Sequence, residues 1–375
     1  MAHAYTPGVT VTAETRLIRE RRLPLAGSVQ AKKGDMVKAE DVVARTELPG
    51  NVQTINIANI LSLLPEDVES ALVKPVGSVL KKGEVFAMSR SFFGLFKSTC
   101  KSPVDGTLES VSNITGQAIM REPPIPVEVH AYVDGVVVEE MPREGVKVET
   151  ECSFIQGIFG IGGETWGELK LLVKRSDEPL DEKSLDASCK DKLLIGGSKV
   201  DVSFLNKAVA MGVRGVVVGG IDDKDLREFL GYDLGVAITG SEEKGISVII
   251  TEGFGEMRMA EKTFSLLRSL EGRKASMSGV TQIRAGVMRP EVIVAQDGRT
   301  ARGGEKTFFS SSGMEIGSSI RVIREPYFGR LGKVAALPPE LRQLETEAKV
   351  RVLEVEFENG ERVVLPRANV EMIEG

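Results

Sequence analysis

Gly317-Ser-Ser-Ile-Arg-Val-Ile-Arg-Glu-Pro-Tyr-Phe-Gly-Arg-Leu-Gly-Lys-Val334, closing with Phe357-Glu-Asn-Gly-Glu-Arg-Val-Val-Leu-Pro366, is the stretch whose reading decides the architecture. Ile320 and Val322 alternate with Arg321 on one predicted strand, and Val334 lies on the next. Asn359-Gly360 stands between alternating apolar residues, which predicts a tight hairpin of type I′ with positive φ at both positions. Short strands joined in this way predict a small β-barrel over residues 314–375.

This segment resembles the KOW module of ribosomal and transcription-elongation proteins, an SH3-like barrel, with Gly332 at the KOW glycine. The resemblance implies contact with RNA or an RNA-bound machine along Arg321, Arg324, Tyr327, Arg330 and Lys333. An aromatic residue among basic ones suits base stacking combined with phosphate pairing. From Gly317 onward, however, nine Arg or Lys meet ten Glu, so the module as a whole lacks the charge of a strong RNA binder. SH3-like barrels also dock proteins, and protein docking is the preferred expectation.

Working backward to the other end, residues 1–150 alternate short apolar strands with Gly-Asp, Asp-Gly and Lys-Gly turns, the pattern of an all-β unit. Gly27-Ser-Val-Gln-Ala-Lys-Lys-Gly-Asp-Met-Val-Lys and Gly77-Ser-Val-Leu-Lys-Lys-Gly-Glu-Val-Phe share a strand, a lysine-glycine-acid turn and a second strand. Asp105-Gly106 and Asp134-Gly135 open a second pair of similar pieces, as duplicated supersecondary units do. Lys82-Gly83-Glu84-Val85, followed by Lys101-Ser-Pro-Val-Asp-Gly-Thr-Leu108, is similar to the barrel-sandwich hybrid of biotinyl and lipoyl domains. In biotinyl carriers the modified lysine stands between two methionines at a hairpin tip. Here the tip reads Arg90-Ser-Phe-Phe-Gly-Leu-Phe-Lys97, without those methionines and with Lys97 off-centre, so biotin or lipoate is not expected. Phe92, Phe93, Leu95 and Phe96 crowd this tip, predicting either a partner-contact patch or a fold-back onto the protein, with insertion into a lipid surface a weaker third reading. Leu61 to Val73 predicts a short helix capped by Ser62 with Pro65 in its first turn, and Arg121 to Pro126 a stiff spacer.

Between these ends, residues 151–187 form a glycine-dense junction and linker, and residues 188–300 an α/β unit. The junction, Phe154 to Gly167, holds the only tryptophan and reads either as a phosphate-cradling loop or as a packed crossing, although its spacing fits neither the Walker nor the Rossmann fingerprint. Ser176 to Ser184 reads as a solvated linker. Leu193-Leu-Ile195, Val216-Val-Val218, Val248-Ile-Ile250 and Glu291 to Ala295 read as strands. Helices are predicted from Asp201, around Leu226 to Leu230, and along Met257, Ala260, Phe264 and Leu267. Alternation of strands and helices implies a parallel or mixed sheet.

Glycines follow three of these strands, at the carboxyl ends where open α/β sheets bind ligands. The candidate ligand site comprises Gly196, Gly197, Ser198, Lys199, Gly219, Gly220, Thr251, Glu252, Gly253 and Gly255, with Arg284 or Arg289 to pair an anion. The competing reading is that glycine merely fits sharp turns.

Composition narrows the remaining classes. With 42% hydrophobic and 27% charged residues over 375 positions, the chain has enough apolar material for several cores. A net charge of -6 argues against a protein that coats nucleic acid. Three scattered cysteines, Cys100, Cys152 and Cys189, suggest neither a disulfide framework nor a zinc site. The start of the chain has no leader pattern and no run of about twenty apolar residues occurs, so a cytoplasmic location without a membrane span is expected. His3 and His130 both lie outside the α/β unit, leaving Glu252, Asp222, Asp223 or a lysine as its proton-transfer candidates. The reading is a non-catalytic scaffold or adaptor for a protein or ribonucleoprotein partner. The alternative is a small-molecule- or nucleotide-binding enzyme or cofactor-complex subunit built on the glycine turns.

Overall fold

The computed structural model describes residues 9–91, 96–232, 243–281, 288–296, 316–322, 324, 326–327, 329–338, 341–343, 349–357 and 359–372. The chain is mostly β, and its centre is a mixed sheet of twelve strands. Among the described residues five strands run parallel: Glu164–Leu171, Lys192–Ile195, Lys199–Val200, Gly215–Ile221 and Ser247–Phe254. Phe159–Ile161 closes one side antiparallel, while Lys274–Ser278, Glu291–Ala295 and Gly145–Gln156 extend the other.

The apolar runs read from sequence are the buried parallel strands, and their alternation decides which helix each side chain meets. Leu194, Val216, Val218, Val248 and Ile250 pack with helices Val202–Ala210 and Asp223–Leu230. Leu193, Ile195, Val217 and Ile249 point the other way, toward Phe264 and Leu267 of helix Glu261–Ser269. Asp201 caps the first of these helices by accepting from the Phe204 N–H at 2.8 Å.

Several local expectations are corrected. Helix Glu261–Ser269 starts later than its apolar stripe suggests, since Met257 and Ala260 precede it. Ser62 ends a helix rather than starting one: it is the C-cap of Ile57–Leu61, in the left-handed region with φ 52°. That helix starts at Asn56, whose side chain accepts from the Asn59 N–H. Residues 176–184 are mostly solvent-exposed, as expected of a linker, but Ser176 and Leu180 are buried and anchor the segment. The glycine-dense junction takes in the end of strand Gly145–Gln156 and two further strands, with Trp166 in the second of these.

The N-terminal residues share the central sheet. Strand Gly145–Gln156 pairs with Val11–Arg22 and Gly135–Met141 as well as with Glu291–Ala295, so it runs through the expected boundary at 150/151. A smaller unit is inserted between strands Val42–Leu48 and Ile125–His130, which are paired with each other at Leu48 and Ile125. It has its own core of Phe86, Leu80, Leu108, Met120, Ile57 and Cys100. The two lysine-glycine-acid repeats form the same turn. The Lys32 N–H donates to Asp35 Oδ2 at 2.8 Å and the Lys81 N–H to Glu84 Oε2 at 3.0 Å. Gly34 and Gly83 occupy the third position with φ 96° and 85°, which a type II turn requires.

Residues 316–372 form a six-stranded antiparallel sheet shaped as a half barrel, closed over Ile320, Val322, Val334, Leu353 and Val355. Strands Lys349–Phe357 and Arg362–Pro366 are joined at Asn359-Gly360, as expected, but not by a type I′ turn. Of the pair only Gly360 has positive φ, and the Gly360 N–H donates to Phe357 O while the Phe357 N–H donates to Glu361 O. This is the longer hairpin with a glycine bulge.

Candidate functional site

The carboxyl ends of the parallel strands do bring most of the candidate ligand-site residues together, but they face the chain's own backbone. A Cβ on Gly219 would lie 2.0 Å from Met257 O, and one on Gly220 would lie 2.1 Å from Gly255 O. At Gly197 it would meet Glu178 O at 2.4 Å, and at Gly196 the Leu180 side chain at 2.6 Å. Residues 175–180 thus form a strap over one strand end and residues 255–259 over the next. Gly197, Gly219 and Gly220 serve close approach of backbone to backbone.

Within this layer Ser198 is 2% exposed, and its Oγ has no hydrogen-bond partner among the described residues. Its backbone is fully engaged, with the N–H donating to Glu178 O and the carbonyl accepting from the Met257 N–H. Thr251 Oγ donates to Val218 O at 3.4 Å. Lys199 pairs with Asp222, whose carboxylate raises the lysine ammonium above its ordinary value, and Asp223 pairs with Arg227. Gly253 and Gly255 differ from the other glycines: nothing lies within 4 Å of a Cβ there, but both have positive φ. Arg284 lies outside the described residues.

The strongest polar feature joins two regions that sequence reading kept apart. Arg321 is buried in the C-terminal sheet, not on an exposed edge, and its NH1 donates to Glu252 Oε2 at 2.7 Å. The same nitrogen donates to Glu252 O at 2.6 Å and Thr251 O at 3.2 Å. The other carboxylate oxygen, Glu252 Oε1, accepts from the Ala260 N–H at 2.9 Å. The side chains of the pair are 2% and 4% exposed. No local pattern signals a pairing across 69 positions. Alternation with Ile320 and Val322 puts Arg321 on the other face of its strand, the pattern of a surface residue.

The rest of the expected contact edge divides. Arg324 and Lys333 are exposed. Arg330 is half-buried, its guanidinium 3.7 Å from the centroid of the Phe357 ring and its NH1 2.9 Å from Glu361 Oε2, so it is engaged within its own sheet. Tyr327 packs against the same Phe357 ring, with centroids 5.5 Å apart. An open cleft of about 440 Å³ is lined by Glu256, Met257 and Arg258 together with Gly329, Arg330 and Leu331. Phe92, Phe93 and Leu95 lie outside the described residues. Phe96 and Lys97 belong to strand Phe96–Lys101, where Lys97 is the partner of Arg90.

A second polar cluster was not foreseen. Arg19 holds Glu291 through Nε at 3.0 Å, Tyr132 donates to the same carboxylate, and Arg21 stacks over the Tyr132 ring while pairing with Glu164. His130 packs against Trp166 beside it. These groups tie Val11–Arg22 to both halves of the large sheet.

No helix among the described residues is long and apolar enough to cross a membrane. No protein-family model matches the chain, and no curated protein matches it.

Proposed function

We propose that the chain acts by binding, as a non-catalytic scaffold for a protein or ribonucleoprotein partner. It would do so with a KOW/SH3-like C-terminal module and a barrel-sandwich-like inserted module. The observation that carries this reading is the closure of the parallel-strand ends, where an α/β sheet would seat a ligand, by the strap 175–180, the segment 255–259 and Arg321. Chemistry has little room there. Outward-facing Arg324 and Lys333 remain available for a partner, whereas Tyr327 and Arg330 support the sheet from which they project. A near-neutral module with two exposed cations fits protein docking better than extensive phosphate contact.

The test is affinity capture from the protein's own cells with wild type and the double variant Arg324→Glu/Lys333→Glu, across a salt series and with and without nuclease. A partner retained by wild type and lost by the variant, at unchanged melting temperature, supports the edge. Loss on nuclease treatment identifies the ribonucleoprotein form. Equal capture by both proteins removes this edge as the contact surface.

One observation favours the small-molecule reading: the buried Ser198 Oγ without a partner in the strand-end layer. Native mass spectrometry of gently purified protein tests it, since a bound ligand adds mass that denaturation removes.

A further inference from the structure

Strand pairing slips at the corner that Arg321 enters. Val218 is opposite Ile250 and Gly220 is opposite Gly253, so Thr251 and Glu252 together oppose the single residue Gly219. This is a β-bulge. In a regular strand successive carbonyls point to opposite sides, whereas a bulge re-aims them. Here Thr251 O and Glu252 O, adjacent in sequence, both accept from one guanidinium nitrogen, and Glu252 Oε2 completes a three-oxygen cradle.

The cradle is built from the α/β unit alone. The Ala260 N–H fixes the far oxygen of the carboxylate, and Gly253, with φ 146°, supplies a backbone setting that other residues rarely adopt. Three oxygen acceptors converging on one point suit a cation with several N–H groups. Buried ion pairs add little net stability over well-packed apolar groups, because desolvation offsets attraction. Their better-attested use is to specify one docking geometry.

We propose that Thr251 and Glu252 form a guanidinium-binding site, and that the C-terminal sheet occupies it in cis with Arg321, as a latch over the ends of the parallel strands. The class of ligand is an arginyl side chain or another alkylguanidinium. This inference does not depend on the scaffold reading.

The experiment uses full-length Arg321→Ala and hydrogen exchange resolved over 251–260, 319–322 and 331–336. Exchange at 251–260 is expected to accelerate at least tenfold, while 319–322 and 331–336, which pair with each other inside the C-terminal sheet, keep their protection, because the sheet undocks as a unit. Methylguanidinium at low millimolar concentration is then expected to restore protection at 251–260. Methylammonium and urea, which match its charge or its shape but not both, are expected to do nothing. Rescue by all three compounds alike, or by none, overturns the site. Unchanged exchange at 251–260, or acceleration at 331–336 as well, overturns the latch. If Arg321→Ala does not fold, the same titration is made on Arg321→Lys, which keeps the charge without the fork. Faster exchange at 251–260 that methylguanidinium slows supports the proposal, and wild-type exchange overturns it.

Discussion

Gly219 makes its contribution by what it lacks. Its φ is not in the left-handed region, but a Cβ there would sit 2.0 Å from Met257 O and 2.8 Å from Gly197 O, both backbone atoms with no rotamer to yield. Gly219→Ala is therefore expected to lose about 2 kcal/mol or more, within the range for overpacking a tight interior. Gly163→Ala is the control: nothing lies within 4 Å of its Cβ, and the change is expected to stay within about 0.5 kcal/mol. Urea denaturation of the two variants decides, and equal stability would mean that residues 255–259 do not close over the strand. At this scale the sequence was legible as to place but not as to purpose. Glycine pairs mark strand ends, and a glycine serving a ligand looks the same as one serving the chain's own backbone. Glu252 could be read as a polar group at a strand end, whereas its partner Arg321 carried the pattern of a surface residue.

Among elements, the repeated turns give the clearest link between sequence and geometry. Lysine, glycine and acid recur because the glycine takes positive φ and the carboxylate accepts from the first lysine's N–H. In the second copy the Lys81 amide, followed by the Lys74 ammonium at 2.9 Å, holds the Glu84 carboxyl below its ordinary value. A carboxyl lowered by folding contributes fully above its unfolded value, and the contribution disappears as pH falls through the lower folded value. The Lys81 amide resonance is thus expected to titrate with a midpoint below that of an ordinary glutamate, and Glu84→Gln should abolish the step. A midpoint at or above the ordinary value would contradict the turn geometry. Helices Val202–Ala210 and Asp223–Leu230 were equally readable, from apolar spacing. Strand Glu164–Leu171 was not, because Gly162, Gly163 and Gly167 obscure its alternation. The strap escaped notice because its charged residues hide the two positions that anchor it, Ser176 and Leu180.

The whole molecule carries a built-in set of reporters. Cys100, Cys152 and Cys189 are all free and buried, and each belongs to a different core. Burial pushes the Cys100 thiol up to about 11 and the Cys152 thiol to about 12, so the thiolate that would react is scarce. Native protein at pH 8 is expected to resist a disulfide reagent at both. During urea unfolding Cys152 and Cys189, whose cores lie against one continuous sheet, should become reactive together. Cys100, in the inserted unit, should follow a transition of its own. Mass-resolved pulse labelling distinguishes the three, and a single shared midpoint would show that the inserted unit has no independent stability. That insertion has a further consequence. Leu48 and Ile125 are partners across one ladder, so the chain departs from and rejoins its host at neighbouring points. In genealogical terms this is a splice point: an entire folded unit can be acquired, exchanged or lost between two adjacent residues without a change in the register of the host.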